Sequence, residues 1–381
     1  MISPEALAKL EEAILGARAH LTDDEVEALS GVDEQTANRL WRALGFPDSG
    51  EGEVAFTEAD VEALKATKKL LENDMLSVDA SVMVTRAMGQ AMSHLAEAQM
   101  DIAADRLAQI PGINAIAKDN PDQLVDLALA SSAVLRQPLE QILTYVYRRH
   151  LLAAAQRYLA AATSALSEGT SSLVAGFCDI TGFTSHTREM SQEELGTLIS
   201  TFESTAFDIV VQGGGRVVKT LGDSVMFVAD DPVQGVLIGL HLAEAFEDET
   251  LGVPPVHVGM AYGPALTRAG DVFGAAVNIA SRATSVARPN TAVVDRGLTE
   301  ALADHPEFTI RKLRPQRVRG YENLQVAVVR FAEDPTADQA TRNARKLARI
   351  QERTERALAR AERAIEKTLH PDVHRASASS E

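Results

Sequence analysis

Residues 177–184 read FCDITGFT, and this stretch decides the fold prediction for a chain of 381 residues. The apolar run at 173–177 predicts a buried strand, which ends at the acidic residue Asp179 and a glycine-containing turn. Further along, residues 216–227 read RVVKTLGDSVMF, a pattern that predicts a hairpin with Asp223 at its turn. Two carboxylates are therefore expected at strand ends, each within three residues of a glycine.

Asp179 and Asp223 predict a site for hard cations. Mg²⁺ prefers oxygen ligands and commonly shares them with substrate phosphates. Two such ions can hold the attacking and leaving oxygens of a phosphoryl transfer. The turn at 181–184 can offer backbone N–H groups to those phosphates. The alternative, in which each Asp only forms a turn or caps a helix, remains open at this point.

A third segment supplies polar groups on a helix. Residues 256–265, VHVGMAYGPA, predict a strand and a tight turn, and residues 271–282, DVFGAAVNIASR, predict a short loop that enters a helix. Asn278 and Arg282 are four residues apart and so share one helix face. Together they could hold a sugar oxygen and the charge that develops on a phosphoryl group. The alternative is a helix cap at Asn278 and a solvated surface arginine.

The three motifs FCDITGFT, KTLGDSVMF and GDVFGAAVNIASR, in this order, resemble the catalytic domain of class III nucleotidyl cyclases over about residues 170–330. The resemblance implies an α+β catalytic domain with a ferredoxin-like (βαββαβ) core, which converts a nucleoside triphosphate to a 3′,5′-cyclic monophosphate and pyrophosphate. It also implies two Mg²⁺ or Mn²⁺ ions per active site, held by Asp179, Asp223 and the Ile180 carbonyl.

The resemblance also implies roles for the residues that contact the nucleotide. Lys219 and Asp271 match the pair that reads the adenine edge. Asn278 would orient the ribose, and Arg282 would stabilise the transition state. Four further positions would bind the triphosphate: Gly182, Phe183, Thr184 and Arg319. Arg319 stands where the family usually has a lysine.

The Lys219 and Asp271 pair favours ATP over GTP. Adenine presents a donor amine at N6 and an acceptor at N1, which match a carboxylate and an ammonium. Guanine presents the reverse pattern, so this pair would leave polar groups unsatisfied, and a polar site discriminates strongly against such a ligand.

The family resemblance further implies a homodimer in which two catalytic domains pair head to tail. One subunit would supply the metal carboxylates, and the other would supply the adenine pair, Asn278 and Arg282. Two equivalent sites of this kind fit a two-fold symmetric interface.

Charge and cysteine content bound the remaining possibilities. The formal charge is −17, and residues 1–130 hold 24 acidic and 10 basic residues, which argues against binding to nucleic acid or anionic membranes. We detect no signal peptide and no apolar run of membrane-spanning length, so the sequence predicts a soluble, cytoplasmic protein. The single cysteine, Cys178, fits a reducing compartment. It is expected to be either a small buried hydrophobe or an oxidation-sensitive thiol beside the metal site.

The region before the catalytic motifs is predicted to be all-α. Thr22 with Glu25, and later the run at 56–61, have the pattern of helix starts. The first helices resemble a MerR-like helix-turn-helix, although their acidity argues against DNA binding. More loosely, the whole chain resembles autoinhibited, pH-sensing bacterial cyclases of subclass IIIc, and His94 and His150 are candidate sensors because histidine titrates near neutral pH.

Four segments are predicted. They are a helical regulatory domain at 1–137, a helical linker at 138–168, a catalytic domain at 169–332, and a charged helix with a disordered tail at 333–381. Within the last, residues 342–367 carry nine basic and four acidic side chains around an approximate heptad seam. The alternatives to a regulated adenylate cyclase are a nucleotide-binding signalling scaffold with weak catalysis and a transcription regulator.

Overall fold

The computed structural model describes residues 2–48, 50, 52–73, 77–168, 172–188 and 190–332, without the side chains of 131–135 and 160–168. The chain divides into two compact units, residues 1–160 and 161–381. The charged helix predicted for 333–381 lies outside the described residues.

The first unit is helical, as predicted. Its second and fourth helices start where the sequence indicates, because Thr22 with Glu25 and Thr57 with Asp60 each form a capping box. The helices are α1 (Pro4–Leu15), α2 (Asp23–Ser30), α3 (Glu34–Leu44), α4 (Glu58–Glu72), α5 (Val78–Ala108), α6 (Ile113–Asp119) and α7 (Asp122–Glu168), the last of which crosses the boundary between the units.

A small apolar cluster joins α2, α3 and α4. Leu21, Val26, Phe56 and Val61 are buried in it, and Trp41 packs against them. An isolated antiparallel bridge between Leu21 and Phe56 joins the segment before α2 to the segment before α4. This bridge is a small departure from the all-helical prediction.

Helix α7 is longer than the sequence predicts. The helical pattern was expected to begin at Pro138, whereas the helix begins at Asp122 and contains Pro138 in its interior. A proline there lacks the N–H that would bond to the preceding turn. The alanine- and leucine-rich residues on both sides are strong helix formers, and they carry the helix through this position.

The second unit alternates strands with helices. Its elements are β1 (Ser172–Ile180), α8 (Phe183–His186), α9 (Gln192–Gln212), β2 (Arg216–Leu221), β3 (Ser224–Ala229), α10 (Pro232–Ala245), a 3₁₀ turn (Glu249–Leu251), β4 (Val256–Pro264), β5 (Leu266–Arg268), β6 (Asp271–Phe273), α11 (Ala275–Val286), β7 (Thr291–Asp295), α12 (Arg296–Ala301), β8 (Phe308–Lys312), β9 (Gln316–Val318), β10 (Tyr321–Leu324) and β11 (Val326–Phe331).

The main sheet has seven strands in the order β2-β3-β1-β4-β7-β11-β8. Its first four strands pair antiparallel, and in chain order they form the predicted βαββαβ unit with α9 and α10 as crossovers. Strand β7 then adds parallel to β4, and β11 and β8 extend the sheet antiparallel. The fold prediction for the catalytic domain is confirmed.

The side chains of β1 alternate between two packed layers. Val174 and Cys178 face the large core formed with α9 and α10. Ala175 and Phe177 belong to a smaller cluster formed with α11. By the two-residue period of a strand, Asp179 lies on the α11 side of the sheet.

Two local predictions need correction. The apolar run at 173–177 was expected to form a strand that ends at Asp179, whereas β1 spans Ser172–Ile180 and is paired on both sides by β3 and β4. Residues 271–273 were expected in a loop, but they form β6, paired with β5. Val272 is buried in the α11 cluster, and this packing stabilises the short hairpin.

Candidate active site

Asp179 and Asp223 are brought together by the sheet and a turn. Asp179 lies near the end of β1, directly opposite Ser224 of β3. Asp223 occupies the turn between β2 and β3, beside Gly222, whose φ of 66° a glycine adopts without strain. The Ile180 N–H donates to the Asp223 carbonyl oxygen at 3.0 Å, which fixes this turn against the end of β1.

The carboxylate of Asp179 is poorly satisfied. Its Oδ1 atom is buried and has no hydrogen-bond partner among the described residues. Burial raises the pKa of Asp179, and the negative charge of Asp223 raises it further, whereas a hydrogen bond with Ser224 and the nearby His257 lower it. A divalent cation would satisfy the unpaired oxygen and remove the repulsion, so these residues fit a metal site.

His257 is a neighbour of this site that sequence reasoning missed. It lies on β4 directly opposite Asp179 in the β1–β4 register, and its buried Nδ1 has no partner among the described residues. The sequence near His257 does not indicate this position, because the pairing of two strands far apart in the chain is not visible in either strand alone.

Side-chain ligands are few at this end of the sheet. Within the described ranges, no cluster of three or more His, Cys, Asp or Glu side chains could hold a metal ion. A cation at Asp179 and Asp223 would therefore need main-chain oxygens, such as the predicted Ile180 carbonyl, and ligands from the substrate.

The turn after β1 differs in one respect from the prediction. The Thr181 N–H donates to the Pro255 carbonyl oxygen at 2.8 Å, so it is not free for phosphates. Gly182 has a φ of 65° and precedes the short helix α8, which places Phe183 and Thr184 in its first turn. As the first two residues of α8, Phe183 and Thr184 have N–H groups without a partner inside the helix.

Lys219 and Asp271 form the clearest polar contact of the site. The Lys219 Nζ atom lies 2.6 Å from the Asp271 Oδ2 atom, although the residues are 52 positions apart. The side chains are 39% and 31% exposed, so ligand can reach them. The hydrogen bond from Lys219 lowers the pKa of Asp271, whose other oxygen accepts the Val272 N–H at 2.8 Å. The predicted adenine-reading pair is thus in contact.

Asn278 and Arg282 lie on α11. The helix begins at Ala275 with Gly274 as its N-cap, so Asn278 is not a cap. Asn278 is exposed and Arg282 is half-buried. No hydrogen bond or ion pair of either side chain occurs among the residues that the structure describes, and none joins Asp179 or Asp223 to them.

Close packing sets the position of α11. A Cβ atom at Gly259 of β4 would collide with the backbone nitrogen of Thr284. Ala276, Ala280 and Ala283 are buried on the same helix. These small residues let α11 lie close to the sheet, so the helix that carries Asn278 and Arg282 is held tightly.

Arg319 lies in the turn between β9 and β10, next to Gly320, whose φ is 87°. Its side chain is exposed, as are those of Arg314 and Arg317. No contact among the described residues connects Arg319 to the other predicted site residues.

Cys178 is completely buried and faces the α9–α10 core. Burial raises its pKa well above the ordinary value, and the neighbouring Asp179 raises it further. The thiolate is therefore disfavoured, and the prediction of a small buried hydrophobe is confirmed over that of a reactive thiol.

The histidines of the first unit differ in their surroundings. His94 and His150, the predicted sensors, are exposed on α5 and α7. His20, which was not predicted, contacts Glu58 at 3.0 Å through Nε2. Hydrogen bonding to the Arg18 carbonyl and the charge of Glu58 raise its pKa.

Comparison with known proteins gives a consistent result. Residues 167–330 match the model of the adenylate and guanylate cyclase catalytic domain. An adenylate cyclase of Streptomyces coelicolor is 39% identical over 331 residues, which cover 86% of this chain and 84% of that protein. One from Streptomyces griseus is 40% identical over 78% of this chain and 72% of that protein. A pH-sensitive adenylate cyclase of Mycobacterium tuberculosis is 32% identical over 84% of this chain and 82% of that protein.

A search for membrane spans found none in the described part of the chain, where every helix is too short or too polar to cross a bilayer.

Proposed function

Because this chain belongs to the adenylate and guanylate cyclase family, we propose that it converts ATP to 3′,5′-cyclic AMP and pyrophosphate. It is an adenylate cyclase: the two Streptomyces relatives, which match 86% and 78% of its length, carry that activity in their names.

The contact between Lys219 and Asp271 is the observation that carries the choice of ATP. Its 2.6 Å distance places a donor and an acceptor side by side, at a separation suited to one base edge. On binding adenine, the Asp271 carboxylate would accept from the N6 amine and the Lys219 ammonium would donate to N1. Guanine would place an acceptor against the Asp271 carboxylate and a donor against the Lys219 ammonium. A polar site discriminates against such a mismatched base by several orders of magnitude.

Members of this family use divalent metal ions. We assign them, as two Mg²⁺ or Mn²⁺ ions, to Asp179, Asp223 and the Ile180 carbonyl. The unpartnered buried Oδ1 of Asp179 and the repulsion between the two carboxylates support this assignment. When bound, such ions lower the pKa of the ribose 3′-hydroxyl and neutralise charge on the triphosphate.

The remaining residues orient the nucleotide and stabilise charge. Asn278 would hold the ribose so that its 3′-oxygen attacks the α-phosphorus in line with the leaving pyrophosphate. Arg282 would donate to the α-phosphate oxygens as their charge grows, and its half-buried guanidinium has no competing partner among the described residues. We assign Gly182, Phe183, Thr184 and Arg319 to the triphosphate, since a turn and a bidentate guanidinium suit it.

We propose that two chains complete each site. In this arrangement Asp179 and Asp223 of one chain meet the adenine pair, Asn278 and Arg282 of a second copy. Within the described part of one chain, no hydrogen bond or ion pair joins the side chains of these two groups, which supports the proposal. A two-fold axis would then produce two equivalent sites.

The helical unit is proposed to regulate the reaction, with pH as the signal. The pH-sensitive relative supports this, because its alignment extends well beyond the catalytic unit. Histidines are the groups that change charge in the relevant range. We also propose a cytoplasmic location, where ATP is available and the lone thiol of Cys178 stays reduced.

The test is an assay of the purified full chain with Mn²⁺ and either ATP or GTP, with the cyclic product measured. We expect cyclic AMP at a rate that exceeds cyclic GTP formation by at least about tenfold, because one wrongly paired polar edge costs well over 1 kcal/mol. A chain that binds ATP but yields no cyclic product would instead be a nucleotide-binding scaffold. DNA binding without cyclic product would favour the transcription regulator.

A further inference from the structure

An apolar pocket lies on the side of β2 that faces away from the adenine pair. Val217 of β2 packs against the α9–α10 core, whereas Lys219 lies opposite Met226, which belongs to the α11 cluster. The pocket occupies about 330 Å³ between α9 and the hairpin β2–β3. Its lining includes Glu203, Phe207, Asp208, Val217, Thr220 and Val225.

The rim of this pocket is unusual for the surface of the second unit. Phe207 is 54% exposed and Val211, one helical turn further, is also exposed. Both project from a helix that buries its other apolar face in the core, for example at Phe202 and Ile209. A helix with a second apolar face that lies in water is a common sign of a partner surface.

The α9 side of the pocket is negatively charged. Glu203 and Asp208 flank Phe207, and α9 contains no basic residue. Such a surface repels phosphates and other anions. It fits a partner that combines apolar side chains with positive charge.

This chain contains a segment of that chemistry. Residues 342–367 carry nine basic and four acidic side chains, with apolar residues at helical spacing that include Leu347, Leu358 and Ile365. We propose that this basic C-terminal segment docks on the pocket between α9 and β2, with an apolar side chain in the pocket and basic side chains against Glu203 and Asp208.

The length of the chain allows this contact. The described residues end at Ala332, just after β11, and β2 lies five strand positions away in the sheet. At about 4.8 Å per strand this separation is roughly 24 Å. Ten extended residues can span about 33 Å, so the segment that begins at residue 342 can reach the pocket.

The experiment uses the full chain with a photoreactive benzoylphenylalanine in place of Phe207. The matched control carries it in place of Phe273, an aromatic residue of similar exposure, 50%, in the β5–β6 hairpin. After irradiation, mass spectrometry identifies the linked peptides. We expect peptides from 342–367 to dominate at position 207 and to be at least about fivefold rarer at 273, as a charge-selected contact requires. Links from 207 mainly to other segments, or equal links from both positions, would overturn the proposal.

A charge reversal separates specific docking from general attraction. Glu203→Lys with Asp208→Lys should lower the yield of this link at position 207 by about fivefold or more. Glu193→Lys with Asp230→Lys changes the net charge equally at exposed positions outside the pocket lining. The control pair should leave the yield unchanged. Equal loss in both double variants, with unchanged circular dichroism, would mean that the segment follows overall charge and has no site.

Discussion

The two units of this protein are built on different principles. The catalytic unit has a buried apolar core on each face of its sheet, and few of its described large apolar side chains are exposed. The helical unit buries a small cluster around Phe56 and Val61, while long stretches of α5 and α7 leave apolar side chains such as Met100 and Ile142 in water.

This difference fits the proposed division between chemistry in the catalytic unit and control in the helical unit. A closed core holds side chains at fixed distances, as the Lys219–Asp271 contact requires, and catalysis depends on such preorganisation. A helical unit with exposed apolar faces can change its packing at low cost, which suits regulation. Changes to the catalytic unit should therefore have much larger effects on activity than changes to the helical unit.

The largest effect is expected for Asp223→Ala, which removes a carboxylate assigned to both metal ions. We expect the initial rate of cyclic AMP formation to fall on the order of a thousandfold, about 4 kcal/mol of transition-state stabilisation. Asp230→Ala, an exposed aspartate of the same unit, should leave the rate nearly unchanged. If Asp223→Ala keeps more than about a tenth of the activity, the two-metal assignment is wrong.

The next largest effect is a recovery of cyclase activity when two inactive variants are mixed. When inactive Asp223→Ala and inactive Arg282→Ala chains exchange subunits, mixed dimers contain one site with both lesions and one with neither. Random exchange makes half the dimers mixed, so activity should return to about a quarter of the unmodified level. The control is each variant taken alone through the same exchange procedure. No recovery despite proven exchange would refute a site shared between chains.

Base choice comes third. Lys219→Glu with Asp271→Cys removes the groups that match adenine, so the ratio of kcat/KM for ATP to that for GTP should fall at least about tenfold. The single variant Arg268→Gln, at an exposed position in the same β5–β6 hairpin, serves as the control. An unchanged ratio would show that other residues read the base.

A smaller effect is expected from removal of the helical unit. The fragment from about residue 165 onward should be more active than the full chain at neutral pH, by about fivefold or more, since ordinary coupling energies begin near 1 kcal/mol. The full chain should gain activity relative to the fragment as pH falls from about 8 to 6, where histidine titrates. Both are assayed at equal dimer concentration. Parallel pH profiles would exclude the helical unit as a pH sensor, and a less active fragment would exclude autoinhibition.

The smallest effect concerns stability. The pKa of His20 is raised in the folded chain by the Arg18 carbonyl and by Glu58, so its contribution to stability is present at low pH and is lost as pH rises through the raised value. His20→Gln should therefore reduce the difference in Tm between pH 6 and pH 8. His94→Gln, an exposed histidine of α5, provides the comparison. If both variants change the difference equally, the contact with Glu58 does not matter.

Much of the catalytic unit could be predicted because its information is local. The apolar run at 173–177, the glycine beside Asp223 and the four-residue spacing of Asn278 and Arg282 each specify their element within a few residues. The helix starts at Thr22 and Thr57 are local for the same reason, since a capping box spans only one turn. The predicted start of α7 at Pro138 was wrong, because the helix-forming residues on both sides of this proline continue the helix through it.

The sequence by itself determined which residue types were available: two carboxylates, one ammonium with its carboxylate partner, one amide and one guanidinium. Tertiary structure alone decided which of them meet. The contact between Lys219 and Asp271 depends on β2 and β6 meeting across 52 positions, and the placement of His257 beside Asp179 depends on the β1–β4 register. Such contacts follow from the packing of whole layers, and the packing energy is a sum over many residues that are distant in sequence. No short stretch of sequence therefore determines which residues meet.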